Sequence, residues 1–269
     1  MSEANFVSEK KDHIHYITIN RPDKRNAISF DMLAEISDMI DEIGADRDVR
    51  VIVLRGEGKM FSSGVDFMSL GGLLPAFTGD AAAGGFSIRA LVNKGQQCMN
   101  KLENVEIPII CAIHNRIQGM AVELALACDF RLMSDDCTWG LQEAKFGLIP
   151  DLGGNARLSR MVGAARAMEI NITGKMFTAE QALQWGLVSY VYPAGEFFSE
   201  VDKFAREIAS AAPLAAGAIK RVIRKGLGVD LMTHLDLEAY YQSIVGRSED
   251  FKEGIAAMLE KRQPDWKGK

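Results

Sequence analysis

Residues 13–20, HIHYITIN, alternate in the period of a half-buried strand, and the cation-rich NRPDKRNA that follows supplies a proline-containing turn. From Ser29 the period lengthens. Phe30, Leu33, Ile36, Ile40 and Ile43 recur at helical spacings, with Ser29 placed to cap the helix and Gly44 to end it. The apolar run over 50–56, RVIVLRG, then predicts a buried strand, and strand, helix, strand in succession marks an α/β layer. Between Met68 and Gly85 the pattern breaks at Gly71, Gly72, Pro75, Gly79, Gly84 and Gly85, which predicts a long mobile loop ahead of a helix over 86–103. Loops of that length in a compact domain usually serve function. A second buried strand over 107–114, a turn around Gly119, the short helix AVELALA and strands over 129–133 and 138–140 lead into the turn IPDLGG.

Beyond Thr178 the character changes. Amphipathic helices are predicted over 179–185, 197–211, 214–225, 231–245 and 249–262. The chain therefore reads as a strand-and-helix core over residues 1–200 and a helical region over 201–269, suited to packing on the core or on another subunit.

Composition narrows the function classes. Hydrophobic residues at 48% and charged residues at 25% argue for a folded globular chain and against disorder or a disulfide scaffold. A net charge of −5 lacks the basic footprint of a nucleic-acid binder, so no nucleic-acid partner is expected. No apolar run reaches the roughly 18 residues of a membrane span, and the first residues, MSEANFVSEKKDH, lack the apolar segment of a signal peptide. The expectation is a cytoplasmic protein with no membrane partner. Cys98, Cys111, Cys128 and Cys137 form no C-x-x-C pair and read as reduced core thiols; His13, His15, His114 and His234 do not cluster, so no metal site is expected.

Among motifs for other chemistries, Gly56-Glu57-Gly58 follows a strand as a dinucleotide site requires, but Phe61 stands at the third glycine. No P-loop or G-x-S-x-G elbow occurs, and Ser62-Ser63-Gly64 has no histidine nearby in sequence. Two other stretches are more informative. FSSGVDF (61–67) and HNRIQGMAVELALACDF (114–130) each place a small-residue turn after a strand, where backbone N–H groups are left unpaired; the second opens a helix. Two such donors from separate turns could hold an oxyanion. Glu123, Glu143 and Asp151 supply acids for the proton transfers that would accompany it. Each acid also has a plainer reading: Glu123 as a first-turn helix acid, Glu143 as a surface residue near Lys145, and Asp151 as a helix N-cap.

Six stretches in order carry a resemblance: NRPDKRNAI (20–28), VRVIVLRGEGKMFSSGVDF (49–67), IPIICAIHNRIQGMAVELALACDFRL (107–132), FGLIPDLGGNARL (146–158), ITGKMFTAEQALQWGLVSYV (172–191) and SEDFKEGIAAMLEKRQPDWKG (248–268). Together they resemble the crotonase superfamily, also called the enoyl-CoA hydratase/isomerase family, over essentially the whole chain. The resemblance implies an α/β spiral of ββα repeats with a C-terminal helical trimerisation region, a homotrimer or dimer of trimers. It also implies an acyl-CoA thioester substrate and no cofactor beyond the CoA that the substrate carries. By position, the backbone N–H groups of Val65 and Met120 would form the oxyanion hole. Lys24, Arg25, Ala27, Val65, Asp66, Phe67 and Met68 would lie along the CoA, the cations suiting its phosphates, although Lys24 and Arg25 read equally as solvated turn residues.

The resemblance places Glu123 and Glu143 where the family's hydratases carry two catalytic glutamates, so the leading expectation is an enoyl-CoA hydratase. Asp151 departs from the glycine usual in hydratases and matches an aspartate of the family's dienoyl-CoA isomerases, which makes a Δ3,5-Δ2,4-dienoyl-CoA isomerase using Glu143 and Asp151 the alternative. Met120 replaces a usual glycine and could narrow the acyl pocket while keeping its N–H. A non-catalytic or RNA-binding protein on this fold is the reading from a different class; it predicts lost acids or a basic stripe, and this chain has neither.

Overall fold

Two sheets organise the chain in a computed structural model that describes residues 4–73 and 79–269. The larger has six strands, β1 (Phe6–Lys11), β2 (Ile14–Ile19), β3 (Val51–Gly56), β4 (Ile109–Ile113), β6 (Phe130–Ser134) and β9 (Tyr190–Tyr192), in that spatial order. Only the β1–β2 pairing is antiparallel. The smaller sheet joins β5 (Arg116–Gln118), β7 (Thr138–Gly140) and β8 (Phe177–Thr178).

Strand periodicity divides the core between the two faces of the large sheet. Ile17, Ile19, Ile52, Leu54, Ile109, Cys111 and Ile113 point into the main core. Their alternates Ile14, Tyr16, Val51, Val53, Ile110 and Ala112 meet Phe197, Val201, Ala205 and Ala209 of helix α7 (Phe197–Ala209). Both faces are thus covered, the usual condition of a parallel sheet. This corrects the half-buried reading of residues 13–20: β2 lies inside the sheet, and all its residues except His15 are buried. The exposed side of the sheet is β1, whose only buried residue is Phe6 and whose Glu9, Lys10 and Lys11 suit an edge.

The helices of the main body are α1 (Phe30–Ala45), α2 (Ala81–Asn104), α3 (Met120–Ala127), α4 (Gly154–Val162), α5 (Ala164–Thr173) and α6 (Ala179–Gln184). Ser29 caps α1 by accepting from the Met32 N–H. The expected loop from Met68 to Gly85 is shorter than predicted. Residues Phe67–Leu73 form a 3-10 helix, 74–78 lie outside the described residues, and α2 begins at Ala81, not Phe86. Asp80 explains the early start, because its carboxylate accepts from the N–H groups of Ala82 and Ala83 and supplies the cap that the glycines could not.

The division drawn at residue 200 falls inside α7, which packs on the sheet. After it come α8 (Pro213–Gly226), α9 (Leu231–Val245) and α10 (Glu249–Glu260). Helix α9 departs from the amphipathic expectation: none of its residues is buried, and Leu231, Met232, Leu235, Tyr240 and Ile244 are exposed. Helix α8 is tied to the body by buried Lys220, which donates to the carbonyls of Leu102 and Ile107 and pairs with Asp129 at 2.7 Å. All four cysteines are buried and free. Among the described residues no cluster of potential metal ligands occurs, and no helix is long and apolar enough to cross a membrane.

Candidate active site

The two small-residue turns singled out in the sequence meet. Ser62 forms a parallel bridge with Ile117 of β5, its N–H donating to the Arg116 carbonyl at 3.2 Å, which zips the 61–64 turn to the strand leading into Gly119. At the contact Gly64 adopts φ +89°, and a Cβ added there would lie 2.6 Å from the Gln118 carbonyl oxygen. Glycine is required for both reasons. Gly119 adopts φ +56° and opens α3. At this junction the N–H groups of Val65 and Met120 donate to no acceptor among the described residues. Met120 is the first residue of α3, where an N–H has no intrahelical partner.

The turn at 20–28 closes on the same region. Ile28 N–H donates to the Gly64 carbonyl and Asp66 N–H to the Ile28 carbonyl, both at 2.8 Å, on either side of Val65. Asn26, fully buried at φ +53°, holds the turn by donating to the carbonyls of Glu57 and Met60 and accepting from Arg21 N–H. Lys24 and Arg25 are exposed and have no ion-pair partner among the described residues. Ala27 is half-buried, its carbonyl accepting from the Arg21 guanidinium at 2.7 Å. Asp66 is turned inward to an ion pair with Arg21 at 3.0 Å, and Met68 is 90% exposed. Phe67 stands against Phe146 with ring centroids 5.4 Å apart.

A cavity of about 990 Å³, counting its open mouth, runs between these turns and α2. Val65, Phe67, Met120, Glu123, Glu143 and Asp151 line it, with Phe30, Ile88, Leu91, Val92, Leu148 and Ile149 as apolar wall and Gln118 and Gln142 as further polar groups. Of the residues proposed from sequence, the structure therefore brings together the two donors, the three acids and Phe67. Lys24, Arg25, Ala27, Asp66 and Met68 lie outside the cavity lining, the first three on the turn beside Val65.

Glu123 does stand in the first turn of α3, but all three acids also face the cavity. Glu123 is 2% exposed; its Oε1 accepts from the N–H groups of Leu152 and Gly154, each at 2.8 Å, and its Oε2 has no partner among the described residues. Burial, with added repulsion from Glu143 and Asp151, pushes its pKa up to about 8 despite those two bonds. Glu143 opens the 3-10 turn Glu143–Phe146, where its Oε1 would lie 3.2 Å from a Cβ at Gly119, and its buried Oε2 has no partner among the described residues. Burial and the Asp151 charge raise its pKa as well. Asp151 does not cap α4, whose N-cap is Gly153. Burial raises its pKa, against the opposing effect of a hydrogen bond from its own backbone N–H. Three carboxyls with raised pKa values share one largely apolar chamber with two unpaired backbone donors. That arrangement can stabilise an enolate oxygen and move protons beside it.

Sequence reasoning missed Asn26, Arg21 and the residues that hold the 150–154 turn. A buried asparagine in a turn at positive φ has only the short-polar-residue signal, and the turn's supports lie on other elements.

The enoyl-CoA hydratase/isomerase family model matches residues 9–269. The chain is 35% identical over 266 residues to a probable enoyl-CoA hydratase of Bacillus subtilis (strain 168), covering 98% of this chain and 99% of that protein. It is 32% identical over 254 residues to the peroxisomal Delta(3,5)-Delta(2,4)-dienoyl-CoA isomerase of Arabidopsis thaliana, covering 93% and 91%. A crystal structure of an enoyl-CoA hydratase from Bacillus anthracis matches with a TM-score of 0.90 at 32% identity, over 99% of this chain and 100% of that one.

Proposed function

The chain belongs to the enoyl-CoA hydratase/isomerase family, and from that premise we propose that it hydrates an α,β-unsaturated acyl-CoA thioester, with Glu123 and Glu143 as the acid–base pair. The observation that carries this reading is the pairing of Glu123 and Glu143. Both line the cavity, each has an oxygen without a protein partner among the described residues, and Glu143 lies against the glycine that precedes the Met120 N–H.

In this reading a water sits between the two carboxyls. A carboxylate of the pair takes its proton as the water oxygen bonds to C3, and the π electrons shift through C2 onto the thioester oxygen. The N–H groups of Val65 and Met120 stabilise the resulting enolate, each such donor being worth about 10²–10³ in rate. The enolate collapses as C2 receives a proton from the pair, leaving a 3-hydroxyacyl thioester. Burial, with repulsion from Glu143 and Asp151, holds Glu123 protonated at neutral pH, so one carboxyl of the pair can donate while the other accepts.

A second reading has its own observation. Asp151 lines the same cavity, and its carboxyl is bonded only by its own backbone N–H among the described residues, which favours a dienoyl-CoA isomerase that passes a proton along the acyl chain between Glu143 and Asp151. Assaying the purified chain separately with crotonyl-CoA and a 3,5-dienoyl-CoA decides between them. Hydration that survives Asp151→Asn and collapses in Glu143→Gln supports the first; dienoyl turnover lost in Asp151→Asn, without hydration of crotonyl-CoA, replaces it with the second. The exposed apolar residues of α9 support self-association as a homotrimer or dimer of trimers, which light scattering tests.

A further inference from the structure

The turn over residues 150–154 both carries Asp151 and donates the two N–H groups that hold Glu123. Its three successive carbonyls are each gripped by a side chain: Pro150 O by Asn155 Nδ2 at 2.7 Å, Asp151 O by Gln96 Nε2 at 2.7 Å, and Leu152 O by Arg157 Nη1 at 2.8 Å. Arg157 differs from the other two. Its guanidinium also forks onto Glu103, with Nε to Oε1 at 2.9 Å and Nη2 to Oε2 at 3.0 Å, and donates to Asn100 Oδ1 at 2.7 Å. Glu103 is held in turn by Arg224 of α8 at 3.1 Å. The guanidinium fills the space beside Gly153, where an added Cβ would fall 1.8 Å from Nη1.

The peptide that Arg157 grips, between Leu152 and Gly153, lies between the two peptides whose N–H groups donate to Glu123 Oε1. Rotating it would turn one or both donors away. We propose that Arg157 is the positioning residue for the acids: by anchoring the Leu152 carbonyl to Glu103, it aims the Leu152 and Gly154 N–H groups at Glu123 and sets where Asp151 enters the cavity. The proposal rests on the reading that these acids act in the reaction.

The test uses the full chain with Arg157→Gln, Arg157→Lys and the double variant Arg157→Gln/Glu103→Gln. The double variant leaves no carboxylate stranded, should the single variant fold poorly. Misplacement of a reacting group by about an ångström costs on the order of 10²-fold, so kcat for crotonyl-CoA should fall about 10–100-fold with KM nearly unchanged. The carboxyl transition in the pH profile should move upward as Glu123 loses the N–H groups that favour its charge, and Arg157→Lys should recover part of the rate. Wild-type kcat and pH profile in the Gln variants, or activity lost only in proportion to folded protein, would overturn the proposal. Should the wild type turn over neither crotonyl-CoA nor a 3,5-dienoyl-CoA, the reaction reading fails, and infrared titration of the carboxyl band that disappears in Glu123→Gln decides the positioning role by itself. A displaced band or titration in Arg157→Gln supports it; an unchanged one overturns it.

Discussion

The two walls of the cavity are built in opposite ways. One wall offers main chain: Val65 and Met120 contribute N–H groups, and the geometry depends on Gly64 and Gly119 having no side chains. The other offers side chains: Glu123, Glu143 and Asp151 contribute carboxyls, and the placement of Glu123 and Asp151 depends on main chain held by Gln96, Asn155 and Arg157. The difference teaches which kind of substitution each wall tolerates. The donor wall should be insensitive to side-chain identity at the donating residue and intolerant of a methyl group one residue away. The acid wall should respond to the loss of a single charge with little change of shape.

The sharpest test is therefore Glu143→Gln, which keeps the shape of the acid wall and removes one carboxyl; under the proposed hydration, kcat should fall about 10²–10⁴-fold. On the donor wall, Gly64→Ala must move a backbone carbonyl or leave the left-handed region, so under the proposed role of the Val65 N–H as an oxyanion donor a loss of about 10²–10³-fold is expected. Circular dichroism should show that the protein still folds. If Gly64→Ala retained full activity, the contrast between the walls would disappear. A third test concerns stability. Glu123 has a higher pKa folded than unfolded, so the native chain binds more protons between about pH 4.5 and 8 and stability should decline as pH rises through that window. The decline is at most about 5 kcal/mol, and Glu123→Gln, whose amide oxygen can still accept from Leu152 and Gly154, should flatten it in thermal melts. The smallest effect is expected from Met120→Ala, which keeps the N–H and enlarges the cavity; it should change the preference between crotonyl-CoA and bulkier acyl groups by about tenfold.

The same contrast governs what can be read from the chain alone. Strands β3 and β4 are legible because burial on both faces leaves VIVL and IICAI unbroken by polar residues. Strand β1 is not, since five of its six positions are exposed and carry no period. The start of α2 is hidden because Gly84 and Gly85 look like breakers, while the decisive group is the single carboxylate of Asp80. At the site, the paired turns and the acids can be picked out from local composition, and the family resemblance indicates their roles. Their convergence cannot, because Glu123 meets its donors 29 and 31 residues later in the chain. Nor can the grip on the 150–154 turn, since Gln96 reaches it across 55 residues and Glu103 reaches Arg157 across 54.

One feature of the large sheet bears on how the chain is made. Every strand except the three-residue β9 and both acid and donor walls precede residue 180, yet the second face of the sheet waits for Phe197, Val201, Ala205 and Ala209. During synthesis from the N-terminus, a nascent chain that has completed its chemistry therefore still presents Ile14, Tyr16, Val51, Val53, Ile110 and Leu132 to solvent. The emergence of α7 from the ribosome is the moment at which that apolar face closes, and truncation before residue 197 should leave a chain prone to aggregate despite carrying every residue of the site.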